Sequence, residues 1–355
     1  MRRACGQLVI GGFEGASLPT SFARALASGE RGGAILFSRN LSQDPMHCAE
    51  LARAIASAAP RELPPLVSID QEGGRVARLK APVLELPAMR AFGDAGDLAL
   101  AHEAARALGA QLAALGITMD FAPVLDVNTR TDNPVIGDRA FGDAPDVVCA
   151  FGERWIDGLR EGGVLACGKH YPGHGDAAKD SHFDLPIIEL DEATLRDVHL
   201  KPFLRCSATA PAFMTAHVIY PAFDPDLPAT LSPRTLARLR AAYTGCIISD
   251  DLEMKAIADR WSVEQSAVRA IDAGCDALLV CRSEELQARA VEALVRKAEA
   301  SAAFAARVQD AHARFLAMRM RVPSRPVKTR TDFDDASALA REVAPKILQR
   351  LARQR

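Results

Sequence analysis

Val164-Leu165-Ala166-Cys167-Gly168-Lys169-His170 runs straight into Tyr171-Pro172-Gly173-His174-Gly175-Asp176, and Asp180-Ser181-His182 follows. An apolar run of strand character gives way to a loop of ionisable side chains punctuated by proline and glycine. Such composition suits a loop after a buried strand, where glycine lets the backbone approach a ligand. The same design recurs along the chain. Apolar or β-rich runs occupy 7–11, 33–37, 65–70, 117–127, 164–170, 212–217, 245–250 and 276–281. Ala- and Leu-rich windows with three- and four-residue apolar spacing lie between them, among them 50–59, 98–115, 147–159, 192–204 and 263–273. Near-continuous apolar strands alternating with helices predict a parallel sheet covered on both faces. Eight such units in roughly 250 residues is the size of a (β/α)8 barrel. A doubly wound open sheet is the alternative, and the strand count favours the barrel.

The tips of the runs carry the polar residues. The third ends in Asp70-Gln71-Glu72-Gly73-Gly74-Arg75-Val76-Ala77-Arg78, and the fourth continues into Asp126 and a loop containing Asp138-Arg139. The fifth ends at Lys169-His170, the sixth at His217 and the seventh at Asp250. Barrel enzymes place their chemistry at these C-terminal tips. After Cys281 come two helical windows, a polar link from 322 to 332, and a last helix. That helix carries Leu339, Val343, Ile347 and Leu351 on one stripe, with Pro345 marking a kink or a fresh start. The expected class is therefore α/β, a single TIM-type (β/α)8 barrel over residues 1–321, with a linker and C-terminal helix over 322–355 packing on it.

At 355 residues the chain is ample for a large core, and its formal net charge of −2 argues against a nucleic-acid footprint. No apolar run reaches the roughly 18 residues a membrane span requires. The basic start meets Gly11-Gly12 and Glu14 too early for a secretory signal, so a cytoplasmic protein is expected. Eight scattered cysteines without C-x-x-C pairs read as buried thiols in a reducing compartment. Cys167 is expected to be unreactive and to face away from Lys169.

Three uses are open to His170, His174 and His182: a metal site, backbone bonding in a rigid loop, or acid–base and binding chemistry. The four-residue spacing of His170 and His174 pairs side chains only on a helix, which Pro172-Gly173 opposes. So many polar groups would all need partners if they were merely structural. Under the third use Asp180 and His182 form a plausible dyad, the carboxylate holding the imidazole in one tautomer. Asp250, at a strand tip, is the candidate anionic nucleophile. An acid–base group with a carboxylate nucleophile is the minimum equipment for retaining glycoside hydrolysis. Asp251 is expected to bond backbone instead.

Five segments carry a resemblance: Asp70 to Arg75, Ile136-Gly137-Asp138-Arg139-Ala140-Phe141, Lys169 to His182, Met214-Thr215-Ala216-His217 and Ser249 to Met254. Together with Gly33 to Asn40 they resemble glycoside hydrolase family 3, in order from about residue 6 to 285. The likeness is to its single-domain bacterial branch, the β-N-acetylglucosaminidases of cell-wall (muropeptide) recycling. The K-H-x-P-G-H-G-x4-D-S-H pattern is highly specific, and D-Q-E-G-G-R and S-D-D-L moderately so. Tyr171 stands where another apolar or aromatic residue is often found. The C-terminal α/β domain of many family members has no counterpart here, so no residue from one is expected to complete the site.

The resemblance implies Asp250 as nucleophile, His182 as general acid and then base, and Asp180 tuning it. Asp70, Arg78, Arg139, Lys169 and His170 would hold the sugar's hydroxyls and N-acetyl group, although Arg78 read alone suits a surface ion pair. His174 and His217 receive no role. The implied activity is removal of terminal N-acetylglucosamine from 1,6-anhydro-N-acetylmuramyl peptides by a monomer that needs no cofactor, metal, nucleic acid or membrane. A phosphorylase, a β-glucosidase, an inert sugar-binding barrel and a metal-dependent hydrolase are the rivals. The loop 173–183, with little apolar anchoring, is expected to be mobile and to carry His182 over the sugar.

Overall fold

The computed structural model describes residues 1–178, 181, 185–322 and 329–352. Eight parallel strands close into one barrel: β1 Val9–Gly11, β2 Gly33–Leu36, β3 Leu66–Ile69, β4 Met119–Asp120, β5 Leu165–Tyr171, β6 Ala212–Thr215, β7 Cys246–Asp251 and β8 Ala277–Val280. Each strand pairs with its sequence neighbours. β8 returns to β1, with Val9 opposite Leu278 and Gly11 opposite Val280. The strict alternation of side chains along a strand divides the apolar residues between two cores. Ile10, Ile35, Leu66, Met119, Cys167, Met214, Ile248 and Leu279 fill the barrel. Val9, Val67, Ala166, Phe213, Ile247, Leu278 and Val280 point outward into the helical layer.

Three local expectations are corrected. Gln7 belongs to the helix Arg2–Gln7, not to the first strand. Its amide donates to the carbonyls of Gly29 (3.0 Å) and Arg31 (2.8 Å), tying down the turn before β2. The long run 117–127 yields only the two paired residues of β4, because Pro123 has no N–H to give the ladder. Its carbonyl still accepts from Lys169 N–H at 3.1 Å, and Leu125 N–H donates to Lys169 O at 2.7 Å. Cys167 faces the barrel interior on the same side as Lys169, since residues two apart on a strand share a face. Burial pushes its thiol well above the usual range. All eight cysteines are free and buried.

The end of the barrel opposite the strand tips is stoppered by the helix Ala302–Arg319, whose Phe315 and Met318 join the interior cluster. Arg319 on the same helix donates to Gly32 O (2.5 Å) and Gln7 Oε1 (2.7 Å). The chain then forms the helix Arg330–Ala352, which lies along the helix Leu98–Ala114. Phe333, Ala340, Val343 and Ile347 are buried there, with Leu339 and Leu351 partly so. This helix runs through Pro345 without a fresh start, because the buried stripe holds both sides of the proline. Among the described residues no helix is long and apolar enough to cross a membrane.

Candidate active site

The C-terminal tips of β3, β5 and β7 and the loops after them line one pocket of about 610 Å³, within the range that holds a small-molecule ligand. Its deepest polar feature is an ion cluster. Glu72 sits in a two-stranded hairpin (Gln71–Gly73 with Val76–Ala77) that follows β3 directly. Its carboxylate receives Arg139 bidentately, Nε to Oε2 at 2.9 Å and Nη2 to Oε1 at 2.8 Å. Lys169 Nζ, at the tip of β5, lies 2.7 Å from Glu72 Oε1 and 2.8 Å from Asp70 Oδ1. Arg78 closes the cluster at 3.4 Å from Asp70 Oδ2.

Burial by itself raises a carboxylate's pKa, but the charges and hydrogen bonds of Arg139 and Lys169 outweigh it and hold Glu72 well below the usual range. Burial likewise opposes the charge on Lys169, and Asp70 and Glu72 reverse that, raising it. The cluster is therefore ionised and fixed at neutral pH. Gln71 braces the hairpin, its Oε1 accepting from the amides of Arg78 (2.8 Å) and Leu79 (2.9 Å). Asp120 on β4 in turn accepts the Gln71 amide at 2.9 Å. Burial pushes Asp120 up to about 7 against the pull of that hydrogen bond and of Lys169, while Asp70 and Glu72 add to the rise.

The histidines divide by partner. His170 places Nδ1 2.7 Å from Asp126 Oδ2, and Asp126 Oδ1 accepts the amides of His170 (3.1 Å) and His174 (2.6 Å). One buried carboxylate thus orients the pocket-facing His170 ring and pins the loop that follows. Burial and then the His170 charge push His174 down to about 4, leaving it neutral beside Ser181 Oγ at 3.1 Å. Gly175 lies so close to Val127 that a Cβ would stand 1.7 Å from its carbonyl oxygen. His217 braces two strands. Its Nε2 donates to Asp251 O at 2.9 Å, and its Nδ1 lies 2.8 Å from Thr230 Oγ1.

Asp250 lines the pocket at the tip of β7 and accepts the Asp251 amide at 2.8 Å. Asp251 behaves as the sequence suggests, accepting the amides of Glu253 and Cys281, each at 3.1 Å. Asp70, Arg78, Arg139, Lys169, His170 and Asp250, expected from sequence, thus line a single pocket. Asp180 and His182 lie outside the described residues. Among the described residues no group of three or more His, Cys, Asp or Glu is arranged to hold a metal ion.

The glycosyl hydrolase family 3 N-terminal domain matches residues 4–318. The chain belongs to glycosyl hydrolase family 3. A curated β-hexosaminidase of Alkalilimnicola ehrlichii is 40% identical over 301 residues, 82% of this chain and 84% of that protein. Another, of Idiomarina loihiensis, is 38% identical over 78% of this chain and 83% of its own. Among solved structures, a family 3 β-N-acetylglucosaminidase of Paenibacillus sp. FPU-7 superposes with a TM-score of 0.89 at 37% identity, over 97% of this chain and 68% of that one. NagZ of Neisseria gonorrhoeae in complex with N-trifluoroacetyl-D-glucosamine gives 0.75 at 29% identity, over 95% and 98%. This family 3 protein is a glycoside hydrolase of the β-hexosaminidase type.

Three functional groups escaped the sequence reading. Glu72 stood inside the quoted D-Q-E-G-G-R motif, two residues from Asp70 and hence on its face of an extended chain, which was the available signal. Asp126 was visible at the end of its run but had no partner to give it a role. Asp120, within a run read as an apolar strand, offered no signal of its own.

Proposed function

We propose that this hydrolase is a retaining, exo-acting β-N-acetylglucosaminidase that removes terminal N-acetylglucosamine from 1,6-anhydro-N-acetylmuramyl peptides in cell-wall recycling. It acts as a cytoplasmic monomer without metal or cofactor. Asp250 attacks the anomeric carbon, and the covalent glycosyl-enzyme is released by water. His182, tuned by Asp180, protonates the departing oxygen and then deprotonates the water. Asp70, Arg78, Arg139, Lys169 and His170 hold the hydroxyls and the N-acetyl group. Charged hydrogen bonds to hydroxyls strengthen as the ring flattens toward an oxocarbenium-like transition state. Because Glu72 locks Lys169 and Arg139 in place, those donors need no reorganisation during the reaction.

The observation that carries this reading is that Asp250 shares one pocket with the Asp70–Glu72–Lys169–Arg139 cluster. Proton NMR of the first-formed product tests it. The β-anomer of N-acetylglucosamine should appear before mutarotation, and the α-anomer first would overturn retention. Sugar 1-phosphate as the product in phosphate buffer would redirect the reading to a phosphorylase.

A further inference from the structure

The pocket's inner charges are matched, but its outer wall is not. Arg78, Arg139 and Lys169 face Asp70 and Glu72, with Asp250 beside them. Farther out, the lining includes exposed Lys255, at the start of the short helix Lys255–Ala258 after β7, and exposed Arg282, from the loop after β8. Neither is within ion-pair distance of a carboxylate among the described residues. The neighbouring charges do not supply one. Arg39 is held by Glu14 at 3.1 Å and by the Cys281 carbonyl at 2.6 Å. Glu253 spends its oxygens on backbone, accepting Arg282 N–H at 2.6 Å and Ser283 N–H at 3.3 Å.

Those same bonds make the frame rigid. Asp251 to the Cys281 amide, and Glu253 to the amides of Arg282 and Ser283, clamp the two segments together at three amides. These bonds fix the backbone that carries Arg282 and the segment that leads, two residues on from Glu253, to Lys255, so both cations stand on a braced frame. Their position decides which part of a substrate they meet. The deep cluster holds the terminal sugar, so whatever hangs from its anomeric carbon, above Asp250, passes the outer wall.

We propose that Lys255 and Arg282 form the leaving-group subsite and select glycosides whose aglycone carries a carboxylate. This deepens, and rests on, the reading of the protein as a muropeptide glycosidase. It makes these two residues the determinants of preference for an acidic aglycone over a neutral one. Being solvent-facing, each charge is worth roughly a three- to fivefold preference, and together roughly tenfold.

A matched pair tests it: N-acetylglucosaminyl-1,6-anhydro-N-acetylmuramyl-L-alanine, whose lactyl group is amide-linked as in a muropeptide and whose alanyl carboxylate is free, and the same compound with that carboxylate converted to the methyl amide. The readout is the ratio of kcat/KM, acid over amide. In low salt the wild-type ratio should be roughly tenfold, fall with added potassium chloride, and collapse toward one in the K255Q/R282Q double variant. R282E should drive it below that of R282Q. A wild-type ratio near one, or one unchanged in the double variant, overturns the subsite while leaving the glycosidase reading intact. A wild-type enzyme that cleaves 4-nitrophenyl N-acetylglucosaminide but neither member of the pair overturns the muropeptide reading, and the subsite with it.

Discussion

The Glu72→Gln variant probes the cluster most severely, because it removes one charge and almost no volume. Lys169 and Glu72 are 3% and 2% exposed and Arg139 is 11%, so both cations lose their main counter-charge inside the protein; Lys169 keeps Asp70, which Arg78 shares, and Arg139 keeps only the more distant Asp126 and Asp70. Breaking a buried ion pair from one side costs about 3–5 kcal/mol. Unfolding entropy of about 2.1 cal/mol/K per residue gives this 355-residue chain about 0.75 kcal/mol/K, so about 4 kcal/mol lowers Tm by about 5 °C. Glu292→Gln, which loses an exposed pair with Arg2 at 2.7 Å, should shift Tm by under about 1 °C.

Glu72 is held below its ordinary 4.5 in the folded state, so its contribution is complete above 4.5 and fades as pH falls through that value. The deficit of the glutamine variant should therefore shrink by about 1.4 kcal/mol per pH unit below that point. Calorimetry on both proteins at pH 7 and pH 3, alongside kcat/KM for an aryl N-acetylglucosaminide, gives both readings. Activity should drop roughly a hundredfold as Lys169 and Arg139 lose their fixed positions. An unchanged Tm, or an equal deficit at both pH values, would show that the cluster is not the ionised brace described here.

Two further outcomes follow from the same site. His182→Ala should impair the natural disaccharide far more than aryl glycosides with good leaving groups, and equal losses in the glycosylation step would remove His182 from the acid role. Asp120 has its pKa raised from 3.8 to about 7, so it costs the fold increasingly from about pH 4 up to about pH 7 and levels off above that. Denaturant titrations of Asp120→Asn should show the variant gaining on wild type across that interval, by on the order of a few kcal/mol. A pH-independent difference would mean that Asp120 is ionised throughout.

The barrel was legible because apolar runs and helical windows alternate, and because buried parallel strands need apolar residues on both faces. Even so, the opposite-face assignment for Cys167 failed on simple alternation, and Pro123 cut short a strand that looked continuous. The candidate site was legible wherever ionisable residues sat at strand tips, as with Asp70, Lys169 and Asp250. It was illegible wherever function depends on who meets whom across the sheet. Glu72 acquires its role only when β3 and β5 bring it to Lys169, and Asp126 only when it meets His170 across the neighbouring strand. Lys255 and Arg282 look like ordinary surface charges until backbone bonds bind their segments side by side.

Mass spectrometry of the protein after reaction with a 5-fluoro-N-acetylglucosaminyl inactivator tests the central claim most directly. One sugar adduct, mapped to the peptide carrying Asp250 and absent from Asp250→Ala, is the predicted result. An adduct on another residue, or rapid inactivation without any covalent sugar, would contradict it.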